Sequence, residues 1–235
     1  MPQLRRLAIT TESPAKLAAF YQNVFDLEVI GKEAGGVFLS DGNFNLALLP
    51  AQEATGLRYL GFDTARFDSI KKKLVHAENG ESNLVECAPK AGIEYEMRDP
   101  DGNDIGLCKR AFDSAYQQTP VPIRHIALYT PNPQRLANFY CGVLDMKEVD
   151  RTDRSSIFVS DGYFNLALLF QRNEEKIGLN HFGFHVKSNE EMRERAGRAG
   201  VATGARRPDR IPFAEYRVHD PEGNGIDISE KGWKV

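Results

Sequence analysis

Five histidines occur in the 235-residue chain, and four of them, His125, His181, His185 and His219, lie in its second half. Imidazole both ligates divalent metals and changes charge near neutral pH, so these residues are candidates for metal binding or proton transfer. Taken singly, each could equally be a hydrogen-bonded structural imidazole. His181 and His185 stand in the run GLNHFGFH (178–185). Read as a strand, that spacing puts both rings and Gly183 on one face. Asp227 stands in the apolar run GIDIS (225–229). A carboxylate buried there needs a partner, because leaving it unpaired is costly. Tyr216, eleven residues earlier, is a further candidate, and Tyr95 holds the matching place in the first half.

The whole-chain numbers exclude several settings for this chemistry. Lys+Arg 30 against Asp+Glu 33 gives a net charge of −3, too nearly neutral for binding nucleic acid through bulk charge. Hydrophobic residues at 41% and charged residues at 27% are those of a globular domain. No apolar run approaches the roughly 20 residues of a membrane span. Arg5 and Arg6 interrupt the start of the chain as a signal core. Cys87, Cys108 and Cys141 are odd in number and widely spaced, so no disulfide framework is expected. The expectation is a cytoplasmic protein with no membrane or nucleic-acid partner.

The elements that position these residues come in two copies. SDGNFNLALL (40–49) and SDGYFNLALL (160–169) share nine of ten residues at an offset of 120. LAAFYQNVFDLEV (17–29) parallels LANFYCGVLDMKEV (136–149), and EYEMRDPDGNDIGL (94–107) parallels EYRVHDPEGNGIDI (215–228). Two domains are expected, 1–111 and 123–235, joined by a proline- and glutamine-bearing linker at 112–122. In the second copy a strand (Ile123–Tyr129) leads to a helix capped by Asn132 with Pro133 at its first position. Ser13-Pro14 does the same in the first copy. Three short strands follow, two of them joined by Asp161-Gly162. The order strand, helix, three strands then recurs from Asn180, with a charged helix at Ser188–Ala199 and a last turn at Asp220–Asn224. The chain thus reads as an α+β protein of four βαβββ modules.

This pattern resembles the vicinal oxygen chelate superfamily, which includes glyoxalase I, type I extradiol dioxygenases and bleomycin-resistance proteins. The resemblance rests on the D-P-[DE]-G-N turns at Asp99–Asn103 and Asp220–Asn224 and on the F-Y-x-x-V-[FL]-D helix end at Phe20–Asp26, with Phe139-Tyr140 as its counterpart. It implies tandem glyoxalase-like domains whose mixed sheets curl around a cavity. It also implies metal ligands on the first and last strands of a module. Those positions fall on His125, His181 and Asp227 in the second copy, and on Arg6, Tyr59 and Gly106 in the first. A fourth position falls near Ala167, which cannot ligate. Two imidazoles and one carboxylate form a facial set suited to Fe(II), with Mn(II) as the alternative.

Strand alternation places Tyr129 and Asn165 on the cavity side with the ligands, and His185 beside them as an acid–base candidate. By the same resemblance Tyr216 is a candidate catalytic tyrosine, with a packing role as its alternative. His219, before the turn, reads as structural. Arg206, Arg207 and Arg210 flank a loop that could hold an anionic substrate if it covers the cavity, and is otherwise solvated. The resemblance implies a metal-dependent enzyme acting on a small, aromatic molecule, with extradiol opening of a catechol-like ring as the leading chemistry. A glyoxalase- or epimerase-type lyase or isomerase, and a non-catalytic drug-binding protein, are the alternatives. A homo-oligomer is compatible with either.

Overall fold

A computed structural model describes residues 1–76, 84–90, 93–109, 119–153, 155–172, 175–208 and 213–235, with 88–90 by backbone alone. The described elements are four helices and sixteen strands in two eight-stranded mixed sheets. The first half gives β1 (Gln3–Thr11), α1 (Pro14–Phe25), β2 (Glu28–Glu33), β3 (Gly36–Ser40) and β4 (Asn45–Pro50), then β5 (Gly56–Asp63), α2 (Phe67–His76), β6 (Val85–Lys90), β7 (Ile93–Arg98) and β8 (Asp104–Cys108). The second half repeats it as β9 (Ile123–Thr130), α3 (Pro133–Leu144), β10 (Lys147–Arg151), β11 (Ile157–Ser160), β12 (Asn165–Phe170), β13 (Gly178–His185), α4 (Asn189–Arg198), β14 (Ala205–Arg206), β15 (Tyr216–His219) and β16 (Gly225–Ser229).

The strand order of the second sheet is β10-β11-β12-β9-β13-β16-β15-β14, and the first sheet matches it strand for strand. In each module the first strand runs parallel to the last. Two modules then join through their first strands, antiparallel. The four strands predicted to carry ligands are therefore neighbours at the centre of the sheet.

Helix starts follow the sequence unevenly. Asn132 caps α3 by accepting from the Arg135 amide, 3.0 Å away. Ser13, its counterpart, makes no side-chain cap; its amide instead donates to Glu222 of the other half. Both helices end on an aspartate in the left-handed region, Asp26 and Asp145. In the last module β15 is short, Tyr216–His219, and β14 is only Ala205–Arg206. Of the expected linker, residues 112–118 and part of its approach lie outside the described residues.

The halves are fastened to each other reciprocally. The Tyr21 hydroxyl donates to Asp220 (2.7 Å) and the Tyr140 hydroxyl to Asp99 (3.1 Å), so each D-P turn is held by the helix of the other half. Asp41 accepts from the Ile123 amide, and Asp161 from the Leu4 amide. Phe25 of α1 stacks on Phe184 of β13 at 4.0 Å. One continuous buried cluster draws on both halves, including Leu7, Phe62, Ile126 and Phe182. Among the described residues, no helix is long and apolar enough to cross a membrane.

Candidate metal centre

Register brings the predicted residues into one row across the second sheet. Asn165 pairs with His125, His125 with Gly183, Gly183 with Asp227, and Asp227 with Arg217. Residues paired across strands project to the same side. His181, two residues before Gly183, joins them from β13. The opposite side of the same strands, carrying Ile126, Phe182, Phe184 and Ile228, is sealed in the core.

His125 Nε2 lies 3.2 Å from His181 Nε2, and His181 Nε2 lies 3.1 Å from Asp227 Oδ2. All three residues are buried, at 2–5% exposure. The far side of each ring decides what these nitrogens carry. Asn165 Nδ2 donates to the Lys234 carbonyl at 2.7 Å, which turns Asn165 Oδ1 to His125 Nδ1 at 2.8 Å. An oxygen there requires the proton on Nδ1, so the neutral ring presents a bare lone pair at Nε2. Asn180 Oδ1 lies 2.5 Å from His181 Nδ1, while His181 Nε2 faces the Asp227 carboxylate, to which it donates in the metal-free fold.

Burial holds both rings neutral. It lowers the His125 pKa to about 3, with the neighbouring His181 adding to the shift, and it lowers His181 as well. For Asp227, burial opposes ionisation, but the hydrogen bonds of His181 and Arg217 and the guanidinium charge outweigh it and hold the carboxyl well below the usual range. Arg217 Nε donates to Asp227 Oδ1 at 2.5 Å, which leaves Oδ2 directed at the imidazoles. Two ring nitrogens and a carboxylate thus converge within 3.2 Å of one another, an arrangement that a cation completes by replacing the proton between His181 and Asp227.

In type and outer support, these donors fit a divalent ion: each is oriented by a second group, two asparagines and an arginine. Their atoms lie in contact with one another rather than around an open space. Among the described residues, no group of three or more His, Cys, Asp and Glu stands ready-made around an ion. Trp233 covers the row from above, stacked on His125 at 5.0 Å with the planes 5° apart. The indole lies on Gly183, where a Cβ would come within 2.8 Å of it.

The matching row of the first sheet runs Asn45, Arg6, Gly61, Gly106, Glu96. Arg6 fills the place of His125 and is itself 7% exposed. Its guanidinium pairs with Asp63 at 2.9 Å and contacts Cys108. Burial pushes the Cys108 thiol up to about 12, and Tyr59 likewise to about 12. The Arg6 guanidinium thus sits at the position where the second sheet has the His125 imidazole, and the row's cation in the second sheet, Arg217, stands at its far end beyond Asp227.

Other predicted residues separate into two groups. Tyr129, on the face of His125, has a phenol raised by burial and by its hydrogen bond to Glu175. His185 follows Gly183 on the same face, with Nε2 at 3.2 Å from the Glu230 carbonyl and Gly232 against its ring. Ala167 is buried with Ala127 and Phe158 in an apolar patch. Tyr216 lies elsewhere. It pairs with Ile228, packs on the helix-side core, and Arg193 of α4 sits over its ring at 4.5 Å. The residue facing the centre is its neighbour Arg217, as alternation from Asp227 would have indicated. His219 is exposed beside its turn. Arg210 lies outside the described residues. Trp233 and Asn180 were not singled out in the sequence, and no periodicity marks Trp233.

Residues 125–229 match the family model of the glyoxalase-like domain. No curated protein matches the chain. Solved structures of similar fold span nearly all of it. The Mn(II)-bound glyoxalase of Novosphingobium aromaticivorans has a TM-score of 0.77 and 20% identity, covering 100% of this chain and 85% of that one. A 2,3-dioxygenase of Pseudomonas sp. KL28 has a TM-score of 0.75 and 18% identity, covering 99% and 93%. The 2,2',3-trihydroxybiphenyl 1,2-dioxygenase of Sphingomonas wittichii RW1 has a TM-score of 0.72 and 16% identity, covering 100% and 92%.

Proposed function

We propose that the chain is a metal-dependent enzyme of the vicinal oxygen chelate superfamily whose single centre lies in the second half, a reading supported by the match of residues 125–229 to the glyoxalase-like domain. The observation that carries this reading is the convergence of His125 Nε2, His181 Nε2 and the Asp227 carboxylate. His125, His181 and Asp227 would hold the ion, Fe(II) in the leading reading and Mn(II) in the other. A bound ion supplies a positive centre for two neighbouring substrate oxygens and, as Fe(II), the electrons for oxygen chemistry.

The chain's own residues do the rest. Asn165 keeps the ligating nitrogen of His125 bare, Asn180 steadies the far side of the His181 ring, and Arg217 fixes the angle of the Asp227 carboxylate. Trp233 excludes water above His125 and offers an aromatic surface to a planar substrate. His185 is the candidate base: with its Nε2–H directed at the Glu230 carbonyl, the neutral ring presents Nδ1 as an acceptor. Lying beyond Gly183 on β13, it serves the far end of a substrate rather than the ion. Tyr129 lines the same face. The reaction proposed is extradiol-type opening of a catechol-like ring by a curled, cytoplasmic two-domain protein.

A second reading, lyase or isomerase chemistry of the glyoxalase kind, is favoured by the full-length likeness to the Mn(II)-bound glyoxalase. One experiment separates the two. Protein purified without oxygen is loaded with Fe(II) or Mn(II), its metal content measured, and oxygen uptake followed with a panel of catechols. The expected result is about one metal per chain, lost in His181→Ala, with oxygen consumed by at least one catechol. Metal retention without oxygen uptake by any catechol turns the reading to the lyase or isomerase. No metal retained by the wild type overturns both and leaves a binding protein.

A further inference from the structure

The notch left by Gly183 is filled from outside the sheet. In the cross-strand row Asn165, His125, Gly183, Asp227, Arg217, glycine is the one position without a side chain. The Trp233 indole lies in that gap, stacked on His125 with the planes 5° apart. The first sheet fills the matching glycines with residues of its own strands. A Cβ on Gly61 would meet Arg6 of β1 at 2.7 Å, and one on Gly106 would meet Ile93 of β7 at 2.7 Å. Trp233 belongs to no strand or helix.

The segment that carries Trp233 is anchored before it and lightly held after it. Glu230 makes three contacts: its carboxylate accepts from the Asn189 amide at 2.7 Å, its amide donates to Glu215 at 3.1 Å, and its carbonyl accepts from His185 Nε2 at 3.2 Å. Gly232 follows at φ +71°, a left-handed turn that glycine adopts without strain. Beyond this hinge, among the described residues, the polar contacts are two hydrogen bonds and one ring contact. Asn165 donates to the Lys234 carbonyl at 2.7 Å, and Lys234 Nζ donates to Asp150 at 3.0 Å and stands over the Phe213 ring at 5.8 Å. Lys234 and Val235 are exposed. A segment held by so few bonds opens locally at far less cost than global unfolding.

We propose that Trp233–Val235 is a strap that closes the centre with a ring of its own. The indole rests in the Gly183 notch, swings out about Gly232, and gives up the notch to the ring of the substrate. The ring admitted is planar and aromatic, because the face of His125 bounds the notch and a flat fused ring fills it at rest. This deepens the enzyme reading and rests on it for the reaction, while the exchange of one ring for another does not require the metal.

Trp233 is the only tryptophan of the chain, so its emission follows the strap. Metal-free protein is titrated with catechol and, separately, with vicinal trans-cyclohexanediol, which carries the same two oxygens on a puckered ring. Catechol is expected to shift the emission to the red, saturably, and the diol to leave it in place. Trp233→Gly empties the notch and is expected to bind catechol at least tenfold more tightly by calorimetry, with free indole competing for the same place. Wild-type emission that catechol leaves unmoved overturns the proposal, and that measurement needs no variant to fold. Equal or weaker catechol binding by a Trp233→Gly protein that still melts cooperatively overturns it as well, since the indole is then a fixed wall. Mn(II) uptake is measured separately as metal content. Mn(II) retained while the emission stays fixed sinks only the strap, and ring exchange without Mn(II) uptake sinks only the metal reading.

Discussion

At His125 and His181 the chemistry of one ring nitrogen is decided by what the other touches. The Asn165 oxygen holds the Nδ1 proton of His125, the Asp227 carboxylate faces Nε2 of His181, and burial keeps both rings neutral. This has a measurable acid limit. In the unfolded chain these histidines take up protons below about pH 6.5, whereas in the fold His125 resists down to about pH 3. The folded pKa is the lower one, so the unfolded state binds more protons in that window and stability falls as pH falls through it. Each pH unit then costs up to about 1.4 kcal/mol per histidine. The melting temperature of metal-free protein is expected to drop steadily from pH 6.5 toward 3, with a shallower slope in His125→Gln. Equal slopes would mean that His125 is not held neutral. At this scale the sequence was legible where residue type and strand position both spoke, as for the three donors. Tyr216, a candidate by resemblance with packing as its alternative, packs on the core, and the two-residue period of β15 turns Arg217 to the centre instead.

Among the elements, β13 does two jobs because it carries Gly183 at its middle. The absent side chain lets the Trp233 indole lie flat on the sheet between the strands of His125 and Asp227. Gly183→Ala would drive a Cβ to 2.8 Å from the indole and 3.0 Å from the Asp227 carbonyl. Overpacking of this kind typically costs about 1–3 kcal/mol. The expected outcome is a lower melting temperature together with a red-shifted, more solvent-exposed Trp233 emission. An unshifted emission spectrum would show that the indole does not rest there. The strands and helices were readable from alternation, Asn-Pro and Asp-Gly signals, down to the cap at Asn132. The covering by Trp233 was not, since it depends on a contact between residues far apart in sequence and on the void left by a glycine.

For the whole molecule, the repeat announced two copies but not their interlocking. Tyr21 reaches Asp220, Tyr140 reaches Asp99, and Phe25 stacks on Phe184, so each half completes the other's turns and core. Burial of these hydroxyls against carboxylates raises both tyrosines well above their ordinary value. A half expressed alone exposes the apolar faces that its partner covers. Residues 119–235 by themselves are expected to bind a hydrophobic dye and to melt without a cooperative transition, while co-expression with residues 1–111 restores cooperativity. A sharp two-state melt of the isolated half would show that the shared core contributes little.

The same interlocking sets a schedule for synthesis. Asp99 waits 41 residues for Tyr140, but Tyr21 waits 199 residues for Asp220. At ribosomal speeds of roughly 5–20 residues per second, helix α1 spends on the order of 10–40 s without the turn that anchors its tyrosine. During that interval the aromatic face of Tyr21 and Phe25 is without the Asp220 carboxylate and the Phe184 ring that cover it in the finished fold.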